Sequence, residues 1–236
     1  MTERRRLLLM RHGAVEYFAP DGRPHRPTEV PLTGLGVEQA RAIGSALARS
    51  AVRVDRVVTS GLVRTRSTAE HVMAAGSIGS PVDHCPDLEE IRGGRLGAIP
   101  EEELRRALIA PFEGPVPLDT RFLGGETVGE LLDRVLPALQ RLLGEHDWDT
   151  LLLVLHGGVN RALLSWLLTG QRMFLGGFEQ SPGCLNVIDV GASTASNIVR
   201  MLNYTPLDTL HTSTRLSTME ALLERYQATR ESRLAS

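Results

Sequence analysis

Two stretches of this chain are apolar without alternation, and both end in the same way. Residues 7–10 read LLLM and run into Arg11-His12-Gly13; residues 151–155 read LLLVL and run into His156-Gly157-Gly158. A strand with one face in water alternates apolar and polar side chains. A strand with no polar position must be covered on both faces. That requirement selects a parallel or mixed sheet with helices packed above and below it. It also sets the place of the polar residues, because ligands in such folds bind at the carboxyl ends of the strands.

The rest of the chain alternates in the same sense. Thr33 is a candidate N-cap, followed by Val37, Ala40, Ile43 and Leu47 along one helical face. Residues 56–60, RVVTS, read as a second strand, with Ser60 placed to cap the next helix. Residues 82–85 suggest a short third strand, and 100–109 a helix within an otherwise loop-rich region. From Val128 the apolar positions follow the helical period as far as Leu143, with Pro137 inside that helix and expected to kink it. A helix follows from about residue 159 to 168. Residues 185–190 and 197–202 read as two strands of a hairpin around Gly191. Near the end, Ser217 and Glu220 have capping-box spacing, and Met219, Leu222, Leu223 and Tyr226 form a candidate apolar stripe. The expected fold class is α/β, a three-layer α/β/α sandwich on a mostly parallel central sheet. One domain is expected over 1–236, with 206–236 as a C-terminal helical extension.

Composition narrows the function. The chain has 236 residues, 42 % hydrophobic and 23 % charged, with a net charge of −2. That charge balance gives no electrostatic case for nucleic acid or an anionic membrane. All 26 basic residues are arginine. Schiff-base chemistry, a pyridoxal lysine and a P-loop lysine are therefore excluded. No segment reaches the ~20 apolar residues of a membrane span, and the short run after the basic start does not read as a signal peptide. Two separated cysteines, Cys85 and Cys184, suggest neither a disulfide framework nor a zinc site. A cytoplasmic location is expected, with no metal and no cofactor.

The polar residues at the strand ends are two histidines, His12 and His156, and two arginines, Arg11 and Arg64, the latter in the first turn after the second strand. If those strands are neighbours, the four meet in one pocket that favours anions. Guanidinium forks match phosphate oxygens bidentately. Each residue alone has a plain structural reading. Ser67 and Thr68 read as surface or capping groups, and only the joint pattern points to a site.

The ordered segments LLLMRHG, VPLTGLGVEQA, VVTSGLVRTRSTAE, LEEI, GGET and LLLVLHGGVNRALL resemble the histidine phosphatase superfamily, the phosphoglycerate mutase-like group, over about residues 6–204. The resemblance implies catalytic roles for two residues: His12 takes the phosphoryl group as phosphohistidine, and Glu90 protonates the leaving alcohol. It implies phosphate-binding roles for Arg11, Arg64 and His156. It also chooses Glu90 over Glu89, which periodicity alone does not. A neutral imidazole is a competent nucleophile near pH 7, its far nitrogen held by a group such as the Gly13 carbonyl. Phosphoryl transfer then needs positioning and charge stabilisation above all.

The chain departs from the family pattern after RHG. Ala14 follows directly, and Phe18 stands near the position of a phosphate-contacting Asn, leaving Tyr17 or Glu16 as substitutes. The segment IRGGRLGAI replaces an aromatic-rich one. The expectation is a metal-independent phosphomonoesterase acting on a small phosphorylated metabolite, with a homodimer left open. The rivals are a phosphoglycerate mutase-type phosphoryl transfer and a non-catalytic phosphate-ester-binding protein.

Overall fold

The computed structural model describes residues 4–17, 25–94 and 99–234. Among the described residues, eight strands and six α-helices follow one another: β1 (Arg5–Arg11), α1 (Gly34–Arg49), β2 (Arg56–Thr59), α2 (Val63–Gly76), β3 (Val82–His84), α3 (Glu101–Ile109), β4 (Pro115–Val116), α4 (Val128–Gly144), β5 (Thr150–Leu155), α5 (Gly157–Thr169), β6 (Phe174–Leu175), β7 (Leu185–Val190), β8 (Ile198–Tyr204) and α6 (Thr218–Leu234). Six of the strands form one sheet in the order β3-β2-β5-β1-β7-β8. The β3-β2-β5-β1 part is parallel, and β7 and β8 are added antiparallel as the hairpin expected around Gly191. The mostly parallel α/β sheet is therefore present. The second, two-stranded sheet of β4 and β6 was not anticipated. Strands of two residues, Val116 pairing with Phe174 far along the chain, leave no periodic trace in a sequence.

The absence of alternation in β1 and β5 has the reason expected. Leu8, Met10, Leu152 and Val154 pack beneath α1 and α2, against Ala40, Ile43, Leu47, Ala69 and Val72. Leu7, Leu9, Leu151, Leu153 and Leu155 point the other way, into the larger core built on α4 and α5. Each strand residue is buried by one layer or the other, at about 1.5–3 kcal/mol for each large aliphatic side chain. α4 carries Val128, Leu131, Leu132, Val135, Leu139 and Leu142 into that core. Pro137 lies within this one continuous helix. Among the described residues, no helix is long and apolar enough to cross a membrane.

The C-terminal stripe also finds a partner. Leu223 is buried with Leu104, Leu108 and Ile109 of α3, and Met219, Leu222 and Tyr226 pack around them. Both halves of the Ser217–Glu220 capping box are formed, at 2.8 and 3.2 Å.

One close approach holds the start of α1 against the turn after β1. Thr33 caps α1, accepting from the Gly36 N–H at 3.0 Å, while its own N–H donates to the Ala14 carbonyl at 2.9 Å. A Cβ on Gly13 would overlap the Gly36 carbonyl, and a Cβ on Gly36 would overlap the Ala14 carbonyl. Two glycines are thus required by contact between main chains. At Gly34, two residues earlier, a Cβ would meet nothing within 4 Å. Alanine is the better helix former by about 1 kcal/mol, so the two positions should respond with opposite signs. Gly36→Ala should destabilise the protein by about 1–3 kcal/mol through overpacking, and Gly34→Ala should be neutral or stabilising. Urea unfolding of both variants checks this; equal effects would refute the close-contact explanation.

Candidate active site

The parallel pairing of β1 with β5 sets Arg11 opposite Leu155. The residues that follow, His12 and His156, therefore emerge side by side, with ring centroids 5.4 Å apart. β2 lies on the far side of β5, and the helix after it, α2, carries Arg64 into the same corner. Arg11, His12, Arg64 and His156 are all buried. The sheet brings together all four residues that the strand-end pattern singled out.

His12 is fixed through its own turn. Its Nδ1 lies 2.8 Å from the Gly13 carbonyl. A carbonyl only accepts, so Nδ1 carries the proton and Nε2 keeps its lone pair. The Gly13 N–H in turn donates to Thr68 Oγ1 at 3.1 Å, and the Thr68 hydroxyl donates to the Arg64 carbonyl at 2.7 Å. Thr68 is fully buried, which corrects its reading as a surface or capping group. Burial above all, and then the charges of Arg11 and Arg64, hold the His12 pKa well below 6.5 against the opposing pull of the Gly13 carbonyl. The ring is neutral at pH 7.

His156 is oriented from both sides. Arg64 Nε donates to its Nδ1 at 3.3 Å, so Nε2 carries the proton toward Ser60 Oγ at 2.8 Å. Ser60 continues to Thr65 Oγ1 at 3.0 Å, and Thr65 donates to the Leu62 carbonyl at 2.9 Å. The expected helix cap at Ser60 is thus corrected. The N-cap of α2 is Leu62, whose side chain has no acceptor, and Ser60 stands two residues before it with its hydroxyl on His156 and Thr65. Burial, and then Arg64 and His12, also hold His156 well below its usual pKa. Arg64 itself is braced by the Pro27 carbonyl at 2.7 Å.

Arg11 donates through Nη1 to the Gln180 carbonyl and, at 3.1 Å, to Thr218 Oγ1. Its Nε is the one buried side-chain nitrogen or oxygen without a partner among the described residues. A buried donor left unpaired costs about 1–3 kcal/mol. Its presence beside His12 points to an acceptor supplied by a ligand. Positive charge from two arginines and from the N-terminus of α5 makes that acceptor an anion.

Glu90 faces the same helix end. Its Oε1 accepts from the Ile91 N–H at 2.9 Å and from the Gly158 N–H at 3.1 Å. Its charge is also the strongest counterweight to the burial that lowers the Arg64 pKa. The preceding residues 86–88 form a short 3-10 turn rather than an extended strand, and Leu88 and Ile91 are both buried. The alternation that failed to separate Glu89 from Glu90 is therefore absent. The turn is held from outside: Arg134 donates to the Asp87, Glu89 and Glu90 carbonyls at 2.9, 2.6 and 2.9 Å. Glu126 binds Arg134 at 2.8 Å and accepts from the Arg92 N–H at 2.9 Å. Burial works to raise the Glu126 pKa, yet Arg134 and the Arg92 amide keep it below the usual range. These two supports were missed in the sequence. Glu126 stands in GGET, a segment quoted only for its resemblance, and nothing in the spacing tied it to residues 87–90.

A cleft of about 770 Å³ opens beside Arg11 and His12. Its wall includes Tyr17 and much of residues 205–225, but not Arg64, His156 or Glu90. Phe18 and residues 95–98 of the departing segments lie outside the described residues.

The comparisons with known proteins agree with this geometry. Residues 7–203 match the family model of the histidine phosphatase superfamily, branch 1. The chain is 34 % identical to a Salmonella paratyphi A protein named probable phosphoglycerate mutase GpmB, over 68 % of this chain and 73 % of that one. It is 34 % identical to a metal-independent phosphoserine phosphatase of Arabidopsis thaliana, over 66 % of each. With the adenosylcobalamin/alpha-ribazole phosphatase of Salmonella typhimurium it shares 32 % identity, over 78 % of this chain and 90 % of that one. Among solved structures, the alpha-ribazole phosphatase of Shigella flexneri superposes with a TM-score of 0.64 at 26 % identity, covering 84 % of this chain and 96 % of that one. With strand-end histidines on neighbouring parallel strands and a family match over residues 7–203, the chain belongs to the histidine phosphatase superfamily.

Proposed function

We propose that the protein is a phosphomonoesterase for a small phosphorylated metabolite, working through a phosphohistidine on His12. The observation that carries this reading is the state of His12: neutral, its Nδ1 proton tied to the Gly13 carbonyl, buried beside Arg11 and Arg64. In this reading the Nε2 lone pair attacks phosphorus and the P–O bond to the alcohol breaks. Glu90 gives the departing oxygen its proton, since an alkoxide is a poor leaving group. The Glu90 carboxylate then takes a proton from water, whose oxygen attacks the phosphohistidine and releases inorganic phosphate and free His12. Arg11 and Arg64 hold the phosphoryl oxygens throughout. His156, whose Nδ1 accepts from Arg64 and whose Nε2–H is given to Ser60, orients the Arg64 guanidinium beside them. The phosphatase names of two relatives support hydrolysis. The mutase name of another favours a second reading, transfer back to a bound intermediate. Phosphate release from a bisphosphoglycerate, measured against isomerisation of 3-phosphoglycerate, separates the two.

Brief incubation with labelled substrate should place acid-labile phosphate on the peptide that carries His12, and His12→Ala should lose nearly all turnover. Label on the His156 peptide, or on a serine, would overturn the assignment. Among the described residues, no three His, Cys, Asp or Glu side chains cluster as metal ligands, and arginine supplies positive charge at the site. Activity should therefore persist in EDTA; loss on chelation with recovery on adding a divalent ion is the contrary result. Glu90→Gln should slow alkyl phosphates by about 10²–10⁴-fold, the usual worth of general acid catalysis, and p-nitrophenyl phosphate much less. Glu89→Gln should be mild with both. The reverse pattern would move the acid to Glu89.

A further inference from the structure

His12 and His156 stand edge to edge, yet they carry their protons on opposite nitrogens. The Gly13 carbonyl takes the Nδ1 proton of His12. The proton of His156 is on Nε2, and its surroundings require this from two directions. Arg64 Nε only donates, so Nδ1 of His156 must accept from it at 3.3 Å.

The second direction makes no use of Arg64. The Leu62 carbonyl only accepts, so the one hydroxyl hydrogen of Thr65 goes to it at 2.9 Å. Thr65 Oγ1 is then the acceptor toward Ser60 at 3.0 Å, and the Ser60 hydrogen is used there. Ser60 Oγ has no hydrogen left to give, so it must accept from His156 Nε2 at 2.8 Å. Every bond in this chain has one direction, fixed by a main-chain carbonyl at its end. Ser60, Thr65 and His156 are each at most 1 % exposed, so bulk water does not compete for these bonds. Neither hydroxyl lines the cleft beside His12.

The chain acts on Arg64. A histidine takes its tautomer from the group on its far nitrogen, which here is Ser60. The other tautomer would set Nδ1–H of His156 against Nε–H of Arg64, donor against donor in a buried place, and the guanidinium would have to turn away. As built, Arg64 is held through Nε by His156 and through Nη1 by the Pro27 carbonyl at 2.7 Å, and Nη2 makes no hydrogen bond among the described residues.

We propose that Ser60 and Thr65 are positioning residues of the reaction: a one-way hydroxyl chain that pins the His156 proton on Nε2 and so holds Arg64 at the angle at which it meets a phosphoryl group. The proposal rests on the reading of Arg64 as a ligand of the phosphoryl oxygens and adds what aims it.

The test uses the full chain. Thr65→Val removes the acceptor of the Ser60 hydrogen with a side chain of nearly the same shape. The Leu62 carbonyl keeps the Thr65 and Arg66 amides, both at 3.0 Å, so no acceptor is orphaned. The freed Ser60 hydrogen can turn to Nε2, and the His156 proton can pass to Nδ1. Long-range 1H–15N spectra of histidine-labelled protein, assigned by the signals lost in His156→Gln, read the tautomer directly. Wild-type His156 should be protonated on Nε2, and Thr65→Val should show a share of the Nδ1–H form. Calorimetric affinity for inorganic phosphate and kcat/KM for p-nitrophenyl phosphate should each fall by about tenfold, less than the ~10²–10³ of deleting a charge-stabilising donor outright, because Arg64 remains. Thr65→Ser keeps the hydroxyl and should restore the tautomer and both constants. In the Arg64→Ala background Thr65→Val should cost less than about twofold further, since residues that act through one another are not additive. Ser60→Ala removes the acceptor of the Nε2 proton itself and should show the same mixed tautomer and the same losses, which keeps the test open if Thr65→Val does not fold. If neither variant folds, the wild-type spectrum decides.

Nδ1–H on wild-type His156, an unmoved tautomer in the variants, unchanged phosphate affinity, or an equal loss in the Arg64→Ala background overturns the chain and leaves the phosphatase standing wherever the wild type turns over. No turnover by the wild type, but a shifted tautomer with weaker phosphate binding, upholds the chain and overturns the phosphatase.

Discussion

The pairing of β1 with β5 is the constraint on which the site depends. Because the two strands run parallel and Arg11 stands opposite Leu155, the next residue of each chain segment is a histidine at the same height. A shift of one residue would turn every side chain of β1 to the other face, exchanging Leu7 and Leu9 with Leu8 and Met10 between two different cores. The apolar packing therefore enforces the register, and the register places His12 against His156. Stability and the geometry of the site come from one set of contacts.

Around that pair, backbone groups do much of the positioning. The Gly13 carbonyl selects the tautomer of His12, the Gly158 and Ile91 amides hold Glu90, and the Pro27 carbonyl braces Arg64. The glycines allow this closeness. A Cβ on Gly158 would come 2.7 Å from Glu90 Oε1, and one on Gly157 would come 3.3 Å from Arg11 Nε. Burial has a chemical effect as well. Two arginines and a dry environment would be a poor setting for an imidazolium, so both histidines stay neutral. The charge that a phosphate ester brings is the charge this setting lacks.

The supports of the site are spread widely through the chain. Arg134 and Glu126 hold the turn that carries Glu90, and Thr218 ties the last helix to Arg11. Such buried, paired groups contribute less to net stability than their number suggests, since desolvation offsets much of their attraction. Their effect here is to limit where Glu90 and Arg11 can go.

By itself the sequence determined which strands are buried on both faces, where they end, and that two histidines and two arginines stand at those ends. Those features are local. An unbroken apolar run or a helical period is written in neighbouring residues, and the C-terminal capping box is a spacing of three. The sequence also carried Glu90, though only through resemblance, since a short turn leaves no period to read. The tertiary structure alone decided that Ser60 serves His156 instead of capping α2, and that Thr68 is buried beneath Gly13. It alone decided that Glu126 acts through Arg134, and that the C-terminal helix reaches Arg11. In each case the partners are either far apart in sequence or joined by a side chain with several acceptors within reach. Which acceptor wins is set by the packing of whole elements, and that is known only once the sheet has formed.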